Sequence, residues 1–142
     1  MTYATKQQMI DRFGETELIQ LTDEAGLGVI DDVKIGDCLQ DADDEINTFL
    51  AARYALPLSS VPKVLVRWAC DAARYFLYDD QATEQVRKRY EDVRRSLEAV
   101  AKGTLSLGLD ETASETATES GTVAYEKTDD DRQFTRDTLA SF

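Results

Sequence analysis

The chain has 142 residues, enough for one domain with an appendage and too few for two full-sized cores. Twenty-eight acids against sixteen bases leave a formal charge of −12, and there is no histidine. That sign excludes a broad phosphate-gripping surface, and the missing histidine removes the commonest general base and zinc ligand together.

Hydrophobic residues at 42% supply a core, so the charge does not imply wholesale disorder. The first helix is expected to start after Thr5, where Gln8 stands at the right distance to close a capping box, and to stop at Gly14. Met9, Ile10 and Phe13 share one side of it. A short second helix runs from Glu15 to Leu21, and Thr22 to Asp32, with Gly26 and Gly28, reads as a loop. From about Val33 to Tyr54 the pattern is helical again. Ile35, Leu39, Ala42, Ile46, Phe49 and Leu50 form the apolar stripe, and Asp41, Asp43, Asp44 and Glu45 are expected to face mostly away from it.

Leu56-Pro57-Leu58 should end this helix, because the residue before a proline disfavours helical backbone. Ser59 or Ser60 is the expected cap of the next helix, with Pro62 in its first turn. Val61 to Tyr78 is the most apolar segment, with apolar residues on more than one face, and should be the central helix. Thr83 then caps a charged helix that runs to about Lys102 and is closed by Gly103. Val86, Tyr90, Val93, Leu97 and Val100 form its stripe, and Glu84–Lys88, Arg87–Glu91, Lys88–Asp92, Glu91–Arg95 and Arg94–Glu98 are opposite charges at i,i+4. The pattern is that of an all-α bundle of four to five helices over residues 1–103.

Residues 104–142 read as a polar linker and C-terminal arm. DETASETATESGT at 110–122 is too polar to fold alone, and Phe134, Leu139 and Phe142 return as isolated apolar residues in RQFTRDTLASF. Such a segment suits a peptide arm that orders on a partner. The charge divides unevenly along the chain: −8 over residues 1–60, +2 over 61–102 and −6 over 103–142.

Cys38 and Cys70 form neither a disulfide framework nor a metal cluster and are expected to be buried, reduced thiols. The opening MTYATKQQMIDRF lacks the features of a signal peptide, and no apolar run approaches the roughly 18 residues of a membrane span, so no membrane association is expected.

No catalytic constellation emerges. Phosphate-loop, dinucleotide and nucleophile-elbow motifs are absent, and the pairs Asp31-Asp32, Asp43-Asp44 and Asp79-Asp80 read as solvated helix ends and faces. Neither enzymatic activity nor a cofactor is expected. The loop from Asp23 has the outline of a calcium loop, with Gly28, Ile30 and Asp31 in place. Ala25, Leu27 and Lys34 stand where side-chain donors are needed, so a glycine-containing turn is the better account. Arg67, Asp71 and Arg74 lie at i, i+4 and i+7 along one edge of the central helix, as surface ion pairs or as a seam between subunits. Arg87, Lys88, Arg89, Arg94 and Arg95 are interleaved with acids, which argues against a nucleic-acid patch.

Several stretches together carry a resemblance. YATKQQMIDRFGETELIQLTD, GVID, DADDEINTFLAARYALPL, VPKVLVRWACDAARYFLYDD, ATEQVRKRYEDV and the terminal FTRDTLASF resemble the head–tail adaptor (connector) proteins of Mu-like phages and prophages. The resemblance spans most of residues 1–104 and the last ten or so. It implies a virion structural protein, made in the host bacterial cytoplasm, that assembles as a ring of twelve copies at the neck, beneath the portal protein. The stopper or tail-terminator protein lies on the other side, and genomic DNA passes through without specific binding. The resemblance also implies that the C-terminal arm, with Phe134, Thr135, Arg136, Asp137, Leu139 and Phe142, reaches the portal or a neighbouring subunit. Arg67, Asp71 and Arg74 would then lie at the seam. The alternative from composition is an acidic DNA mimic that inhibits a host nucleic-acid-binding protein. Acids interleaved with arginine and lysine in the middle helices argue against it.

Overall fold

The computed structural model describes residues 2–109. Five α-helices follow one another: α1 (Lys6–Phe13), α2 (Glu15–Thr22), α3 (Asp32–Leu50), α4 (Lys63–Tyr78) and α5 (Glu84–Ala101), with a short 3-10 turn, Asp79–Gln81, between the last two. No strand occurs among the described residues, and the architecture is the all-α bundle expected. Helices α3, α4 and α5 pack on one another as the body of the domain. α1 lies against α2 and α3, and α2 against α4.

Local chemistry sets most of the boundaries. The Thr5 hydroxyl accepts the Gln8 N–H, and the Gln8 side chain accepts the Thr5 N–H, so two otherwise orphaned donors at the start of α1 are satisfied reciprocally. Gly14, at φ +89°, separates α1 from α2 with a backbone that a side chain would strain. The Asp31 carboxylate caps α3 by accepting the N–H groups of Val33 and Lys34, and the Thr83 hydroxyl caps α5 by accepting that of Val86. α4 buries Leu65, Trp68, Ala69, Cys70, Ala72, Ala73 and Leu77, which confirms it as the central helix. Each fully buried large aliphatic side chain among these contributes about 1.5–3 kcal/mol.

Three expectations are corrected. α3 ends at Leu50 rather than near Tyr54. The chain tightens there into a turn in which the Arg53 and Tyr54 N–H groups both donate to the Leu50 carbonyl, and this rotates Tyr54 into the core. Neither Ser59 nor Ser60 caps α4: Pro62 occupies the N-cap position without a side-chain hydrogen bond. Past Gly103, Leu107 and Leu109 lie against the core, and the Leu107 N–H donates to the Tyr54 hydroxyl at 3.0 Å.

The third correction concerns Asp43, which is 1% exposed and not on the solvated face. Its Oδ1 accepts the Tyr3 N–H at 3.0 Å, and the Tyr3 hydroxyl donates to Asn47 one turn further along α3. The segment preceding α1 is thereby docked on α3, with Tyr3 and Ala4 buried. Asp43 Oδ2 is buried without a hydrogen-bond partner. Burial pushes the carboxyl above its ordinary value of 3.8, opposed by the bond from Tyr3 and reinforced by Asp44. A carboxyl raised in the folded state adds stability below its unfolded value and loses it as pH rises through the folded value. Asp43→Asn keeps an acceptor for Tyr3 and removes the buried charge. It is expected to stabilise the fold by about 1 kcal/mol at pH 7 and by less at pH 4. Urea denaturation at the two pH values checks this, and an equal effect at both would contradict it.

Candidate interaction surfaces

The edge of α4 that carries Arg67, Asp71 and Arg74 divides between two environments. Arg74 turns into its own chain. Its Nε donates to Glu17 Oε1 on α2 at 2.7 Å, the Tyr78 hydroxyl donates to the same oxygen at 2.8 Å, and the guanidinium lies over the Phe13 ring, 4.5 Å from its centroid. This arginine therefore serves as an intramolecular clamp between α2 and α4.

Arg67 and Asp71 instead line an open cavity of about 480 Å3 formed by the end of α1, the first half of α4 and the middle of α5. Phe13, Trp68 and Val93 give it apolar walls, and the exposed guanidinium-bearing residues Arg12, Arg67 and Arg89 stand around the half-buried Asp71. Burial pushes the Asp71 carboxyl up, while Arg89, Arg67, Arg12 and Arg74 pull it down. Asp92, also in the lining, is answered by Arg95 at 3.2 Å. Three guanidiniums around one carboxylate leave the cavity with an excess of positive charge in a strongly acidic chain.

A second surface is the loop between α2 and α3. The Asp23 carboxylate accepts the Leu27 N–H at 2.9 Å and the Gly28 N–H at 2.7 Å, with Gly26 and Gly28 both at φ +73°. These bonds hold the Asp23 carboxyl below its usual value. The residue at the head of the calcium-like outline thus closes the turn with both its oxygens. No group of three or more histidine, cysteine, aspartate or glutamate side chains placed to hold a metal occurs among the described residues. Ile30 turns inward, whereas Leu27, Val29 and Val33 are exposed.

A polar network on the other side of the body was not foreseen in the sequence. Glu45, expected on the solvated face of α3, accepts the Tyr90 hydroxyl at 2.9 Å and forms an ion pair with Arg94 at 3.4 Å, both from α5. Tyr90 also stacks on Tyr75 with ring centroids 4.1 Å apart. Arg94 is therefore drawn to α3. Of the five expected i,i+4 pairs on α5, Glu84–Lys88 closes at 3.7 Å, and Asp92 pairs at i,i+3 with Arg95. Both cysteines are free. Cys70 is buried, and its thiol is pushed up to about 11 by burial; Cys38 is half-buried and also raised. Such thiols are poor nucleophiles at neutral pH.

The arm residues Phe134, Thr135, Arg136, Asp137, Leu139 and Phe142 lie outside the described residues. No helix among the described residues is long and apolar enough to cross a membrane.

Comparison with known proteins places these surfaces in context. The family model described as Bacteriophage Mu, Gp36 matches residues 3–126. A Mu-like prophage FluMu protein gp36 from Haemophilus influenzae is 40% identical over 119 residues, covering 84% of each chain. Gene product J of Escherichia phage Mu is 38% identical over 111 residues, covering 78% of this chain and 79% of its own.

Proposed function

The chain belongs to the bacteriophage Mu Gp36 family, and from that premise we propose that it is a structural protein of a tailed-phage virion, the head–tail adaptor of the neck. In this role it assembles as a ring, twelve copies in the adaptor pattern it resembles, between the portal protein and the stopper or tail-terminator protein. Genomic DNA passes through the ring without specific binding, and no catalytic step is assigned.

The observation that supports the proposal is a packed helical body with two different exposed features, a guanidinium-rimmed cavity and a loop with three exposed apolar side chains. A ring needs two different surfaces on each copy, because its interfaces are heterologous and close by rotation. The charge of −12 also suits a passage through which a duplex must slide, since acidic walls repel phosphates. Residues 130–142 are assigned to the arm that reaches the portal or a neighbouring subunit.

The test is genetic. Phage lacking this protein are expected to accumulate filled heads and separate tails, as counted by electron microscopy, with complementation restoring joined particles. Normal joined particles in its absence would overturn the proposal. A chain lacking residues 130–142 is expected to fail to attach to portal-bearing heads. Undiminished attachment would remove the arm from the account.

A further inference from the structure

Among the described residues five large hydrophobic side chains are exposed, and three of them fall within seven consecutive positions: Leu27 at 74%, Val29 at 57% and Val33 at 72%. Single exposed apolar residues are ordinary, but a cluster marks a contact surface. This cluster is held in place. Asp23 closes the turn on Leu27 and Gly28, and the buried Thr22 hydroxyl donates to the Leu18 carbonyl and accepts the Asp31 N–H. Lys34 pairs with Glu24 at 2.6 Å, and Lys6 pairs with Asp32. These bonds tie down the loop while leaving Leu27, Val29 and Val33 outside.

The charges around the two surfaces are opposite. The loop has Asp23, Glu24, Asp31 and Asp32, of which Glu24 and Asp32 are neutralised by Lys34 and Lys6, leaving −2. In the cavity Asp92 is answered by Arg95, and Arg12, Arg67 and Arg89 outnumber Asp71 to leave +2. We propose that the Leu27–Val29–Val33 projection of one copy seats in the Arg12–Arg67–Arg89 cavity of a second copy. Its apolar side chains pack on the half-buried Phe13, and its acidic rim faces the guanidiniums.

The arrangement is head to tail. The projection and the cavity lining share no residue, so one copy offers its projection to one neighbour and its cavity to the other. A two-fold contact between projections would set like charges face to face, which is unfavourable. The interface deepens the ring reading above, on which it rests, by naming the two surfaces that meet.

The test uses full-length protein and sedimentation velocity up to the solubility limit. Leu27→Asp/Val33→Asp disables the projection, and Arg67→Glu/Arg89→Glu disables the cavity. All four positions are exposed, and circular dichroism checks that each variant is folded. Wild type is expected to associate beyond the dimer, and each variant alone to lose association by about tenfold or more in Kd. An equimolar mixture is expected to form a one-to-one dimer and nothing larger, because it retains one competent projection and one competent cavity. A wild type that stays monomeric, a variant that associates as wild type does, or a mixture that remains monomeric or grows past the dimer would each overturn the interface. A benzophenone side chain at position 27 adds a second measurement. Its cross-link is expected within residues 12–13, 67–71 or 89–96 of another copy, and a cross-link confined elsewhere overturns the proposal. Association through other residues would leave the adaptor role standing. Conversely, this interface together with normal particles in the protein's absence would overturn the role alone.

Discussion

Tyr90→Ala is expected to lower folding stability by about 2–4 kcal/mol, and Tyr90→Phe by about 1 kcal/mol. The difference follows from the two tasks of this side chain. Its ring is half-buried, stacks on Tyr75 at 4.1 Å and meets Phe76 edge-on at 5.5 Å, all of which alanine removes. Its hydroxyl donates to Glu45, which phenylalanine removes while leaving that carboxylate its ion pair with Arg94. Urea denaturation of the full chain separates the two, and equal losses from both variants would show that the ring contributes nothing. Burial, then the bond to Glu45, raises the phenol well above its ordinary value of 10.0. Its stabilising contribution is therefore complete below pH 10 and lost only as pH rises through the higher folded value.

Glu17→Ala is expected to cost about 2–4 kcal/mol, more than its partner's charge alone suggests. The Arg74 side chain is only 14% exposed and that of Glu17 22% exposed. Alanine leaves the guanidinium and the Tyr78 hydroxyl in the same half-dry pocket without their acceptor. The double variant Glu17→Leu/Arg74→Met removes both charges and replaces them with apolar bulk, so it is expected to cost less than Glu17→Ala alone. Denaturant midpoints of the three proteins test the order. A double variant less stable than the single one would mean that the pair contributes net stability beyond satisfying Arg74.

How much of this was legible depends on the range of the interaction. The Thr5–Gln8 capping box, the Thr83 cap and the centrality of α4 are local or periodic features, and the sequence states them directly. Asp43 and Glu45 were misplaced because their partners are remote. Tyr3 lies 40 residues before Asp43, and Tyr90 lies 45 residues after Glu45, so helical periodicity records only that acids interrupt an apolar stripe. The same limit divides the α4 edge. Spacing aligned Arg67, Asp71 and Arg74, but only packing reveals that Glu17, 57 residues away, takes Arg74. The cavity was half visible for this reason: its α4 members are periodic, while Arg12 and Arg89 arrive from helices whose docking no spacing encodes.

The hydrogen bond from the Leu107 N–H to the Tyr54 hydroxyl fixes a tether point. Leu107 thus lies beside the α3–α4 connection, as does Gly103 at the end of α5. A chain extends at most about 3.3–3.6 Å per residue, so residues 110–142 reach no further than roughly 110–120 Å from there. Replacing Tyr54 would remove that tether point without altering any residue beyond it.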